Sequence, residues 1–469
     1  LTNPSTKPGG NSSDRELPAN TQRLTGGKLT GPRAFTAVAL GQFFSILGTG
    51  MTGMALTYWT WKVTGSATAL ALVWFFIFTP TVVFSPIAGA LVDRWNRKLV
   101  MMLSDMASGL ATIILLVLYL LGHLEIWHLY VVGAFTGTFQ AFQFPAYSAA
   151  ITLMIPKERY SQASAMISLA QGVAGIFAPI AAGALLGFIG VGGIMVIDLV
   201  TLAAALGILL LVRVPQPEVS AAGREARGGL LKEAAYGFRY VLARPSLLGL
   251  QLVFFWGNLL SNLCFTLAAP LVLARTGNNP LALGTVQTAA AVGAVAGGLV
   301  LSVWGGPRRK IHGVLLGWAG SFLVGELLMG LGRSVAGWSV AIFGGSIFGA
   351  LVGASNQAIW QRKVPPDIQG RVFSVRLLIA QISGPVAMLI AGPLADRVLE
   401  PGMRAGGGLA KIFGGLVGTG PGTGISLLFL LAGVAGAAVT LCAYAVRPIR
   451  DVERIIPDFD EQAGSLSSS

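Results

Sequence analysis

Charge is the scarcest property of this chain. Only 11% of its 469 residues are Asp, Glu, Lys or Arg, against about 25% in a soluble domain. So few charges cannot solvate an ordinary globular surface. Cysteine is nearly absent as well. Cys264 and Cys442 each stand in an apolar stretch, which excludes a disulfide framework and leaves each thiol as a small hydrophobe. His123, His128 and His312 form no metal motif and read as helix-end residues. No metal site and no cofactor are expected. No enzyme is expected either, because no catalytic constellation is present. The Gly-rich stretch 401–424 has no Gly-Lys-Ser/Thr and no preceding strand, so it is no phosphate loop.

What the chain has in abundance is apolar sequence, at 54% of residues. A bilayer-crossing helix needs about 20 such residues. Twelve segments qualify, at 34–61, 67–92, 99–121, 126–152, 162–188, 191–213, 246–274, 281–304, 311–332, 336–360, 371–398 and 424–446. The expected fold is all-α and membrane-embedded, with two six-helix bundles at 34–213 and 246–446. Residues 1–33 lack an apolar core, do not read as a signal peptide, and are expected to form a disordered cytoplasmic tail. Residues 214–245 read as a cytoplasmic linker, in which 230–242 alternates apolar and charged residues as an amphipathic helix does. Residues 447–469 read as a second cytoplasmic tail. The Gly-rich stretch reads as a flexible linker or as a cover for the mouth of a cavity.

The net charge of +13 invites a nucleic-acid reading, but the basic residues are scattered over many short loops and share no surface. With both termini inside, 26 of the 32 Lys and Arg residues fall on the cytoplasmic side. That is the bias of a membrane protein, with attraction to anionic lipid and no nucleic-acid partner. The halves also repeat. Ile155-Pro156 matches Val364-Pro365, Arg97-Lys98 matches Arg309-Lys310, and Ala178-Pro179 matches Gly384-Pro385, at offsets of 209, 212 and 206 residues.

The second and third segments are joined by Gly89-Ala90-Leu91-Val92-Asp93-Arg94-Trp95-Asn96-Arg97-Lys98. Gly89 permits close helix packing. Asp93 can pair with Arg97 one turn on or face the positive end of another helix; the charges could also serve only to orient the two helices. The loop resembles that of the major facilitator superfamily, Gly-x-Leu-Ala-Asp-Arg-x-Gly-Arg-Lys, with Asn96 in place of glycine. Three further stretches are similar to the branch that contains macrolide efflux proteins and the enterobactin exporter. They are Trp61-Lys62-Val63-Thr64-Gly65-Ser66, Phe144-Pro145-Ala146-Tyr147 and Gly237-Phe238-Arg239-Tyr240-Val241. The resemblance implies a latch of Gly89, Asp93, Arg94, Arg97 and Lys98. In it Asp93 faces the start of segment eleven near Gly370-Arg371 and holds the cytoplasmic side shut. The matching loop Pro307-Arg308-Arg309-Lys310 has no acid, so the latch is expected in the first half alone. Gly175, Pro179 and Gly183 of segment five resemble the family's antiporter motif, although a generic packing face explains them too.

Polar groups inside a membrane are costly and point to function. Ten amides within segments one, four, five, seven, eight, ten and eleven are candidates: Gln42, Gln140, Gln143, Gln171, Asn258, Asn262, Gln287, Asn356, Gln357 and Gln381. The family's architecture implies that these segments line a central cavity, while segments three, six, nine and twelve are peripheral. Interhelical hydrogen bonding is the alternative role. Asp105 is expected to extend the latch; Asp198 and Glu326 are expected as proton sites or as helix contacts. Segment four has no arginine, so proton coupling comes from the resemblance alone. The implied function is proton-coupled export of a lipophilic small molecule, drug-like or siderophore-like, by alternating access across a bacterial plasma membrane. Trp59, Trp74, Phe144, Trp256 and Trp360 would contact the substrate beside the amides. A lysophospholipid transporter of the same fold and a non-transporting membrane receptor are the alternatives.

Overall fold

The computed structural model describes residues 31–92, 95–156, 159–212 and 230–458. The first half holds α1 (Gly31–Thr64), α2 (Ala67–Val92), α3 (Arg97–Leu120) and α4 (Ile126–Met154). The run Tyr160–Leu211 then turns at Gly190, whose φ is 65°, into α5 (160–189) and α6 (191–211). Segments five and six are thus joined by one residue of left-handed backbone, which favours glycine. After α7 (Leu230–Leu242), the second half holds α8 (Pro245–Arg275), α9 (Pro280–Trp304), α10 (Lys310–Leu331) and α11 (Val335–Lys363). α12 (Pro366–Leu394) runs on through a π-helical turn, Ala395–Leu399. α13 (Gly408–Val417), α14 (Thr423–Ala445) and the short α15 (Arg447–Arg450) and α16 (Val452–Ile455) complete the chain. The architecture is twelve membrane helices in two six-helix repeats.

Local chemistry sets the helix starts. Asn96 accepts from the amide of Leu99 at the start of α3, and Asn279 from those of Leu281 and Ala282 at the start of α9. Both are N-caps. Carboxylates do the same from a distance. Glu400 accepts from the amides of Gly422 and Ile425 at α14, and Glu453 from that of Ile311 at α10. Each places an anion on the positive end of a helix.

With twelve spans, both ends of the described chain lie on one side, here the terminal face; the opposite side is the far face. At the far face one apolar core runs through both halves, joining Met51, Met54 and Leu186 to Leu267, Leu283 and Phe429. Towards the terminal face the core divides. One part gathers Phe35, Val100 and Leu209 of the first half; the other gathers Leu247, Trp360 and Val452 of the second. The halves are sealed together at one end and packed separately at the other.

One expectation for the second half changes. The Gly-rich stretch is not a uniform linker, because α13 occupies its centre. Leu409, Ile412, Phe413 and Leu416 recur at helical spacing, and Leu409 and Phe413 pack on the far-face core. Arg275 donates to the carbonyl of Val417 and Arg333 to that of Leu416, so two cations close the helix's negative end. The C-terminal stretch is also folded as far as Asp458. The buried Lys363 ammonium donates to the carbonyls of Glu453 and Ile456 and pairs with Asp458 at 2.6 Å. The amphipathic α7 lies against α12, where Gly237 faces the Arg371 carbonyl.

Candidate functional site

Between the halves lies a cavity of about 810 Å³. α1 contributes a stripe from Gln42 to Thr57, facing residues of α2, α3, α4, α6, α8, α9 and α11. The wall is mostly apolar, and two carboxylates stand in it. Asp105 is 1% exposed and accepts from Gln42 Nε2 at 3.1 Å and Gln143 Nε2 at 2.6 Å. Asp198 is 2% exposed and accepts from Thr49 Oγ1 at 3.0 Å and Thr112 Oγ1 at 3.2 Å. Each carboxylate is therefore held by neutral donors from two other helices of the first half.

Four of the ten expected amides, Gln42, Gln140, Gln143 and Gln287, line this cavity. The other six do not, for identifiable reasons. Asn258 donates to the Phe254 carbonyl one turn back in its own helix, and Asn262 to Ser383 across to α12. Asn356 accepts from Trp360 Nε1, and Gln357 from Arg376. Gln171 is exposed on α5, and Gln381 is half-buried outside the lining. Helix rotation, which composition does not reveal, decides each case.

The expectation that segments three and six are peripheral is corrected, since α3 and α6 supply both cavity acids. Asp105 meets amides here, while the nearby Lys98 donates to the carbonyls of Leu210 and Val212 at the end of α6. Glu326 lies away from the cavity, in the π-helical stretch Ser321–Leu327 of α10. It accepts from Ser261, and its second oxygen is buried without a hydrogen-bond partner. Gly89 is in the last turn of α2, and Arg97 and Lys98 open α3; Asp93 and Arg94 lie outside the described residues. Trp74 lines the cavity with Phe265, its ring 6.0 Å away and edge-on. Trp360 is buried in the second-half core, Trp256 is exposed, and Trp59 packs on the far-face core. The Phe144 side chain lies outside those described.

The helix-five motif forms the seam with α9. A side chain at Gly284 would meet the Pro179 carbonyl, and one at Gly183 would meet the Pro280 carbonyl. Gly175 faces Ala291, and Thr288 donates to the Ile176 carbonyl at 2.8 Å. Two further bridges lie at the far face. Trp61 Nε1 donates to Asn278 at 2.9 Å. Asp396 of α12 accepts from Ser66 Oγ at 2.7 Å and from the amides of Ala67 and Thr68 at 3.1 and 2.9 Å. A carboxylate of the second half thus caps the first turn of α2 in the first.

Asp396 and Arg376 are the residues that sequence reasoning missed. Asp396 had a signal, because Gly392-Pro393-Leu394-Ala395-Asp396-Arg397 repeats the pattern of Gly89-Ala90-Leu91-Val92-Asp93-Arg94. Arg376 counts as a loop cation by charge tally, yet it stands ten residues into α12, about 15 Å along the helix. Its guanidinium donates to Gln357 and lies over the rings of Trp360 and Phe373.

Two helical repeats closing on a mostly apolar cavity that holds two carboxylates define a secondary transporter fold. The sequence profile of the Major Facilitator Superfamily matches residues 38–388, and the chain belongs to that family. It is 26% identical over 371 residues to macrolide efflux protein A of Streptococcus pyogenes, covering 78% of this chain and 90% of that one. It is 28% identical over 354 residues to the enterobactin exporter EntS of Escherichia coli, covering 72% and 80%. Among solved structures it is similar in fold to a bacterial homologue of the lysosomal transporter Spinster, with a TM-score of 0.63 and 18% identity over 90% of this chain and 98% of that one. The nucleoside transporter NupG gives a TM-score of 0.57 with 11% identity over 88% and 98%. The chain is a multi-pass membrane transporter and not an enzyme.

Proposed function

We propose that this transporter exports a lipophilic small molecule from a bacterial cell by alternating access, with its terminal face and both termini in the cytoplasm. The observation that carries the reading is the pair Asp105 and Asp198, buried in a mostly apolar cavity between halves that are sealed at the far face. In this arrangement the cavity is directed towards the cytoplasm. Protons are the proposed drive. The Thr49 and Thr112 hydroxyls can donate to a carboxylate or accept from a carboxylic acid, so Asp198 keeps its partners whether charged or neutral. Glu326, with one oxygen unpartnered, is a second proton site. The reading draws support from the efflux relatives.

Inverted membrane vesicles test it. A lipophilic dye or macrolide should accumulate in them under an inward-acid gradient, and collapsing the gradient should abolish accumulation; accumulation that persists would sink proton coupling. The latch belongs to the opposite state, in which Gly89, Asp93, Arg94, Arg97 and Lys98 close the cytoplasmic face. Asp93→Asn is expected to cut transport at least about tenfold while membrane insertion stays normal. Turnover at the wild-type rate would reduce that loop to an orientation signal.

A further inference from the structure

The cavity wall is charged with one sign only. Among the described residues lining it are two carboxylates and no Lys, Arg or His. Arg376, an intramembrane cation of the second half, is outside the lining and engaged with Gln357.

The spacing of the two acids can be read from two helices independently. On α1, the partner of Asp105 is Gln42 and the partner of Asp198 is Thr49, seven residues on. On α3, Asp105 itself and Thr112, the other partner of Asp198, are again seven apart. Seven residues make two helical turns, about 10 Å along one face. The acids therefore form a vertical pair, Asp105 nearer the terminal face and Asp198 nearer the far face. Thr52, one turn beyond Thr49, also lines the cavity and is 6% exposed.

We infer that this cavity selects lipophilic cations, with Asp105 as the principal counter-charge, an inference that rests on the export reading above. Each oxygen of Asp105 accepts one amide N–H, which orients the carboxylate and leaves acceptor capacity on both oxygens. A buried anion with no opposite charge is costly, and an entering cation removes that cost. Neutral amide donors fix the group without neutralising it. The body of the ligand has its own place. Trp74 of the first half and Phe265 of the second offer aromatic surface, which suits both apolar groups and a cation. An organic anion of the same shape meets two like charges instead. The selected class is therefore an amine- or onium-bearing lipophile, and catecholate-type anions are rejected.

Tetraphenylphosphonium and tetraphenylborate share a shape and differ in charge, so they test the inference as probes. Equilibrium binding of each is measured separately on purified full-length protein in zwitterionic nanodiscs, with empty nanodiscs subtracted. Asp105→Asn is expected to weaken phosphonium binding at least about tenfold and to strengthen borate binding, while Asp105→Glu keeps the wild-type preference. Asp198→Asn should move both ions in the same directions by a smaller factor. Shifts of the two ions in one direction, or phosphonium binding indifferent to Asp105→Asn, overturn the inference. If Asp105→Asn does not fold, Asp198→Asn alone decides, and an unchanged phosphonium affinity overturns it. The export reading fails separately. Phosphonium binding without gradient-driven accumulation sinks export and keeps cation selection; gradient-driven accumulation with no charge preference does the reverse.

Discussion

Asp396→Ala is expected to move the protein out of its far-face-closed state. The carboxylate receives three donors, the Ser66 hydroxyl and two amides of the first turn of α2, across the boundary between the halves. Hydrogen bonds to a charged acceptor contribute about 1.5–3 kcal/mol each when desolvated, and an anion at a helix N-terminus adds about 0.3–1 kcal/mol. Asp396 is only partly buried, so we discount the sum to roughly 2 kcal/mol for the whole clasp. That corresponds to about a thirtyfold change in the equilibrium between closed and open. Spin labels at Leu121→Cys and Ile412→Cys, in the two halves at the far face, would read it out. Cys442 is exposed and must first be replaced, whereas Cys264 is buried. A new, longer distance should dominate in the variant. A distribution identical to that of the parent would mean the clasp contributes nothing.

Gly284→Leu is expected to stop transport without unfolding the protein. The seam between α5 and α9 leaves no room for a side chain there, because the Pro179 carbonyl and Ile180 occupy the space. The clash exists only while the seam is closed, so the variant should settle with the far face open. Transport should fall at least about tenfold with a normal yield of monodisperse protein. Gly137 makes the instructive contrast. A side chain at that position of α4 would strike the Ile77 carbonyl of α2, and those helices belong to the same half. Gly137→Leu should therefore cost folding itself, since overpacking a core that cannot part has no relief. If Gly284→Leu transports normally, or the two variants fail alike, the seam is not a moving surface.

These two predictions show what the sequence made legible and what it did not. Membrane helices were readable because each needs a run of about 20 apolar residues, and the break at Gly190 was readable because two such runs met there. α13 was hidden by glycine, which signals flexibility by composition, while four apolar residues at helical spacing carried the actual helix. Asp105 and Asp198 were readable as rare intramembrane acids. Their partners were not, since threonine is common and a glutamine in a membrane helix gives no sign of which way it is turned. Asp105 was expected beside loop cations and is held instead by Gln42 and Gln143. Asp396 was overlooked for a different reason. Its pattern repeats the loop of the first half at the opposite face, where a search for a matching loop at the terminal face does not look.

The Lys363–Asp458 pair carries a consequence for how the protein is made. The two residues are 95 positions apart. At 5–20 residues per second, the ribosome needs roughly 5 to 20 seconds to travel between them. During that interval α11 is already synthesised, but the ammonium at its end has none of its three oxygen ligands. The second half must wait for a stretch made after its last membrane span before its packing at the terminal face is complete.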